Sequence, residues 1–197
     1  MSRFIRTMLL CVAMLAVVAP ATSFAATGLD ADLATLWTKV LETPSPQNSF
    51  GTGGQAFACW DLGNGTVAPF APSGVKSCTV APGTPIFVTA SSVECSTFEG
   101  TPVGQQATCA RQTDAQTPGP TVTVDGTSVP VSQVETGRLD IVLPADNLFG
   151  LPAGTRGVSH GHGWVALVSP LSVGAHKIVI TNGSSVITTT LHVGAAG

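Results

Sequence analysis

Trp164-Val165-Ala166-Leu167-Val168, Pro170-Leu171-Ser172-Val173-Gly174, Ala175-His176-Lys177-Ile178-Val179-Ile180-Thr181 and Asn182-Gly183, with Ser184 to Val193 behind them, form the stretch that decides the fold. A short, continuous apolar run such as Trp164 to Val168 reads as a strand covered on both faces. Pro170 to Gly174 turns the chain. The β-branched segments on either side of Asn182-Gly183 read as a hairpin, because both turn residues tolerate positive φ. Working outward, Asn64-Gly65 divides Phe57–Leu62 from Thr66–Phe70, and Asp125-Gly126 divides Thr121–Val124 from Thr127–Val131. Ser77–Val80 and Pro85–Ser92 are further strand candidates. Arg138 to Leu143 alternates Leu139, Ile141 and Leu143 with Arg138, Asp140 and Val142, the pattern of a half-buried strand. Many short strands punctuated every 8 to 12 residues imply a sandwich or barrel. The expected fold is mainly β, an Ig-like antiparallel β-sandwich over residues 55–193, with a jelly roll as the alternative.

One segment has a helical period. Leu29, Leu33, Leu36, Trp37, Val40 and Leu41 place an apolar face along residues 29–42. Asp30 and Asp32 suit the positive end of its dipole, and Lys39 the negative end. Thr43-Pro44-Ser45-Pro46 stops it, because a residue preceding proline is pushed out of the helical region. Residues 47–55 read as a polar, glycine-rich connection. Residues 93–119 show no apolar period and read as an irregular loop held by a disulfide.

Arg3 and Arg6, the apolar run Met8 to Val18 and the small-x-small triplet Ser23-Phe24-Ala25 have the layout of an export signal, so residues 1–25 are expected to be removed and 26–197 to form a single secreted domain. No second apolar run reaches the roughly 20 residues of a membrane span. The chain has 8 basic and 11 acidic residues. Without Arg3 and Arg6 the balance is 6 − 11 = −5, which argues against a nucleic-acid partner. Cys11 lies in the signal. Cys59, Cys78, Cys95 and Cys109 remain, and four cysteines in an exported chain read as two disulfides. Three connectivities are open, and the sequential one, Cys59–Cys78 with Cys95–Cys109, is favoured. It closes two short loops, each contributing about 3 kcal/mol by chain entropy. A four-cysteine zinc site lacks any Cys-x-x-Cys pair. The expected localisation is secreted or periplasmic.

Leu143-Pro144-x-Asp146-Asn147-x-Phe149-Gly150-x-Pro152-x-Gly154, then Trp164, then Pro170-Leu171-x-x-Gly174-x-His176-x-Ile178, resembles a group of uncharacterised exported bacterial proteins. Trp37 and Cys59 have counterparts in that group as well. The resemblance implies export and a shared fold, and supplies no function. Members of the group often carry Asp-Gly-Tyr-Trp where this chain has Gly161-His162-Gly163-Trp164, which makes the histidine pair peculiar to this chain.

Three constellations bear on chemistry. Gly157-Val158-Ser159-His160-Gly161 matches the G-x-S-x-G elbow of hydrolases. The elbow needs a following helix and an acid after the serine, yet the last acid here is Asp146, so that fold is rejected. His160 and His162, two residues apart, share one side of an extended chain. With His176 and His192 from later strands they are the candidate metal ligands, for copper or zinc. The bland reading is a solvated glycine loop. Glu94 with Glu99, or Asp140 with Asp146, are the candidate carboxylate pairs of a glycoside hydrolase, a chemistry set by carboxyl separation. Asp146-Asn147 otherwise reads as a turn cap.

The expectation is therefore an exported, disulfide-stapled, non-enzymatic binding or envelope-associated module. Its partner is a cell-envelope component or a protein, its ligand is unspecified, and it has no resident cofactor. A copper or zinc protein is the first alternative and a carboxylate-dependent glycoside hydrolase the second. No catalytic residue is assigned.

Overall fold

A computed structural model describes residues 28–116 and 118–194. The expected export signal, residues 1–25, lies outside the described residues. In chain order the elements are α1 (Leu29–Glu42), β1 (Cys59–Asp61), β2 (Val67–Pro69), β3 (Ser77–Val80), β4 (Ile86–Ser96), α2 (Gln106–Asp114), β5 (Thr121–Val124), β6 (Thr127–Val129), β7 (Ser132–Glu135), β8 (Leu139–Val142), β9 (Arg156–Val168), β10 (Gly174–Asn182) and β11 (Ser185–Val193).

The strands form two sheets. The first runs β1-β2-β4-β9-β7, with β8 also on β9; the second runs β3-β11-β10-β5-β6. Between them, Ile86, Val88 and Ala90 of β4 and Ala166 and Val168 of β9 pack with Ile178, Ile180, Leu191 and Val193 of the second sheet. Alternation turns Phe87 and Val165 to the opposite face, where Leu33, Leu36, Trp37, Val40 and Leu41 of α1 cover them. Each buried Val, Leu, Ile or Phe side chain among them contributes about 1.5–3 kcal/mol by leaving water. The protein is thus a β-sandwich with α1 as a third layer.

Three findings modify the expected sandwich. Pairing is antiparallel except at β2–β4 and β3–β11, which are parallel. Residues 93–119 are not an irregular loop: β4 continues to Ser96, and α2 forms a second helix beyond it. The Cys95–Cys109 bridge ties α2 to β4, with Cα atoms 6.0 Å apart. Finally, the histidine-glycine segment is not a loop. It lies inside β9, a 13-residue strand.

Turns follow the residues at their tips. Asp125 (φ 50°) and Gly126 (φ 81°) make the two-residue turn between β5 and β6. At the last hairpin Asn182 pairs with Ser185, so the turn residues are Gly183-Ser184, one place later than the Asn-Gly signal suggests. The second disulfide, Cys59–Cys78, has Cα atoms 5.7 Å apart and links β1 to β3 across the two sheets. Both bridges follow the sequential pairing, and disulfides are the mark of an oxidising compartment. Among the described residues no helix is long and apolar enough to cross a membrane.

Candidate functional site along the open flank of β4

β4 has neighbours of unequal length. On one side β9 pairs with it from Ile86↔Val168 to Ser96↔Ser159, with a register shift between Thr89 and Ser91. On the other side β2 pairs with it at Val67↔Ile86. Beyond Ile86 that flank carries no further strand among the described residues. Two cavities lie along it, both lined by Phe50. One, of about 210 Å³, opens between the sheets beside Thr89, Ala90, Ser91 and Ser92. The other, of about 240 Å³, is lined by Trp37, Phe50, Leu148 and Phe149 and by Glu94 and Glu99. The Trp37 indole N–H donates to Ser92 Oγ at 2.9 Å. Trp37, Phe50 and Phe70 form an aromatic group with ring centroids 4.9 to 5.8 Å apart. That spacing is typical of edge and tilted pairs.

Glu94 is the most perturbed acid. Its pKa is pushed up to about 7, first by burial, which disfavours the ionised form, and further by the negative charge of Glu99. Ser159 Oγ–H and Ser96 offset this in part by hydrogen bonding to the carboxylate. Among the described residues no lysine or arginine acts on its pKa. Glu99 is brought back to Glu94 by a 3-10 turn over Thr97–Glu99. The other candidate pair is not joined: Asp140 is taken by Arg138 at 2.7 Å, while Asp146 sits in a left-handed turn (φ 52°). Ser159 lies within β9 and donates to Glu94, so the elbow motif is a stretch of strand.

The four histidines are not brought together. His160 and His162 point to the face of β9 that α2 covers, opposite Cys95 and Val93 respectively. His162 Nδ1 lies 2.9 Å from Asp114 Oδ2, which also accepts from Gln133 Nε2. Among the described residues, Asp114 Oδ1 and His160 Nδ1 are buried without a partner. The glycine between them serves close packing rather than flexibility: a Cβ on Gly161 would meet Trp37 Cδ1 at 2.6 Å. His176 belongs to the second sheet, where Asp125 Oδ2 (2.7 Å) and the Ser172 carbonyl (2.8 Å) receive its two ring nitrogens. Two acceptors favour the imidazolium, and its pKa is raised, chiefly by Asp125. Asp125 is lowered by the same bond. His192 pairs with Ala175, and His176 with Leu191, so those two side chains leave opposite faces of the sheet. Among the described residues no three of His, Cys, Asp and Glu group as a metal-ligand set.

Sequence reasoning missed Asp114 and the Phe50–Phe70 contact. Neither has a local signal, because each acquires its role from a partner far along the chain. No family model matches the chain, and no curated protein matches it. One solved structure is similar, the cysteine protease inhibitor EhICP2 from Entamoeba histolytica, at a TM-score of 0.24 and 9% identity, covering 60% of this chain and 86% of that one. A likeness of that strength carries no argument.

Proposed function

We propose that this protein is a secreted or periplasmic, non-enzymatic binding module whose site is the open flank of β4. One observation carries the reading: among the described residues, β4 beyond Ile86 is paired on the β9 side alone. An unpaired strand side offers rows of N–H and C=O groups, and an extended segment of another chain adds to it as a further strand. The aromatic group and the two cavities beside it supply places for alternate side chains of that segment. Neither cavity is lined by lysine or arginine, and Glu94 and Glu99 stand at one end. The occupant is therefore an extended partner segment carrying a lysine or arginine, whose cation meets the carboxyl pair beside an aromatic wall. The signal-like N-terminus and the two disulfides support an extracytoplasmic setting.

The test is a titration at pH 8 with an extended peptide containing lysine and with its glutamate counterpart. The lysine form binds and shifts backbone resonances of residues 88–96. Glu94→Gln with Glu99→Gln weakens it at least tenfold. Lowering the pH from 8 to 5 weakens it too, because Glu94 takes up a proton. Equal binding of the two peptides, or shifts confined elsewhere, would overturn the reading.

A further inference from the structure

We propose that the partner segment is a strand–turn–strand unit that adds one strand to each sheet, the first along β4 and the second along β11. The inference rests on the β4-flank reading and names the partner's second contact. β11 has an open flank of its own. β10 pairs with it from Gly174↔Val193 to Asn182↔Ser185, whereas β3 pairs with it from Thr190↔Ser77 to Val193↔Val80. Among the described residues, Ser185 to Thr189 therefore have a strand on the β10 side alone. The Thr190 N–H donates to the Lys76 carbonyl, on the β3 side. Backbone groups of a strand alternate in direction with a period of two, so those of Thr188 and Val186 point to that side as well. Both residues are exposed, and among the described residues neither N–H meets an acceptor there.

The two open flanks lie on one side of the sandwich. The Cys59–Cys78 bridge joins β1 to β3, the edge strands beyond β2 and beside β11. The β2 side of β4 and the β3 side of β11 are thus the same side. The cleft of about 210 Å³ connects them, lined by Ala90 and Ser91 of β4 and by Ile187 and Thr189 of β11. Packed sheets lie about 10 Å apart, a gap that a turn of about four residues spans at roughly 3.3 Å per residue. Unpaired N–H and C=O groups along both flanks select extended backbone, and side chains between the two added strands fill the cleft. Glu94 and Glu99 stand beside β4, whereas Ser185 to Thr189 carry no charge. The partner's cation therefore belongs to its first strand, and its second strand is neutral.

The probe is an acetylated, amidated peptide: a lysine-bearing strand of alternating threonine and valine, a four-residue Gly-Asn linker, and a second strand without lysine. It is compared with the first strand alone, by titration at pH 8 and by backbone hydrogen exchange. The linked probe binds at least tenfold more tightly, since the linker holds its second strand at a high local concentration. It slows exchange of the Val186 and Thr188 amides at least tenfold, and the single strand leaves them unchanged. Thr188→Pro removes a donor from the open flank without touching the β10 ladder, and brings the linked probe down to the affinity of the single strand. N-methylation of one alternate set of amides in the probe's second strand does the same on the native protein, which keeps the test decisive where the variant does not fold. Unchanged exchange at Val186 and Thr188, or an affinity gain that survives both changes, overturns the proposal. Slow exchange of those amides before any probe is added overturns it too, because the flank is then closed or held by a second copy. If the single strand binds at residues 88–96 and the linked probe gains nothing, the second contact alone is wrong. If neither binds, the flank reading falls with it.

Discussion

Two acids sit on opposite faces of the same pair of strands, and their surroundings differ in kind. Asp114 comes from α2 onto one face of β9, where it meets the His162 imidazole and the Gln133 amide and is shut from solvent. Glu94 stands on the other face of the β4–β9 ladder, opposite Gly161, beside a second acid and a cavity. Asp114 has two partners built in, both at Oδ2. Glu94 has hydroxyls and another carboxyl, and its pKa is pushed up to about 7 as a result. A buried carboxyl with fixed donors adds to stability, and one without a counter-charge subtracts from it when ionised. The contrast separates an acid that has an imidazole beside it from one that has no counter-charge.

The largest expected effect is at Glu94. Its folded pKa, about 7, lies above the ordinary 4.5, so the folded state holds the extra proton between those values. Stability therefore falls as pH rises through that window and stays low above it. Glu94→Gln removes this loss. At pH 8 the variant is more stable than the native protein by about 2–3 kcal/mol, and at pH 4 the two are equal. Urea unfolding at the two pH values checks it. A variant that is less stable at pH 8 would break the contrast with Asp114.

How much of this was legible in the sequence depends on where each residue finds its partner. α1 was readable whole, since Leu33, Leu36, Trp37, Val40 and Leu41 repeat on one face and prolines stop it. β3 and the three hairpins were readable from β-branched runs and turn residues. α2 was not: its buried positions are Gln106, Ala110 and Asp114, two of them polar, so no apolar period exists to be read. Gln106 is held by the Thr101 and Pro102 carbonyls, Asp114 by His162, and Cys109 by Cys95. Glu94 and Glu99 could be named as a pair, but their closeness depends on the turn over Thr97–Glu99. The histidine pair was read as a glycine-loop tip or metal ligands, because sequence does not reveal that Gly161 makes room for Trp37.

The next effect has the opposite sign. Asp114→Ala leaves the His162 imidazole and the Gln133 amide under α2 without their shared acceptor. Removing the acceptor of buried donors costs about 1–3 kcal/mol, so the variant loses stability at pH 8, where Glu94→Gln gains it. Backbone hydrogen exchange in α2 quickens, while the β10–β11 hairpin is unchanged. A double variant sharpens the comparison. The acids occupy opposite faces and share no partner, so the two changes add. A large coupling would mean that β4 and β9 transmit strain between the faces.

The smallest effect belongs to a third acid, which serves as an exposed reference. Asp125 meets His176 at 2.7 Å at the rim of the second sheet. The raised His176 contributes stability that is complete below its ordinary value of 6.5 and disappears as pH rises through the folded value. The lowered Asp125 contributes above 3.8 and loses this as pH falls through its depressed value. The pair therefore acts in the mildly acidic window between them. His176→Gln shifts the urea midpoint slightly downward at pH 5 and leaves it unchanged at pH 9, and added salt shrinks the difference, as expected of a screened surface pair. Glu94→Gln has the reverse profile, silent in acid and strong in base, and salt affects it little because the acid is shielded. If the two variants share one pH profile, the distinction between a carboxyl given its cation and one left without it is lost.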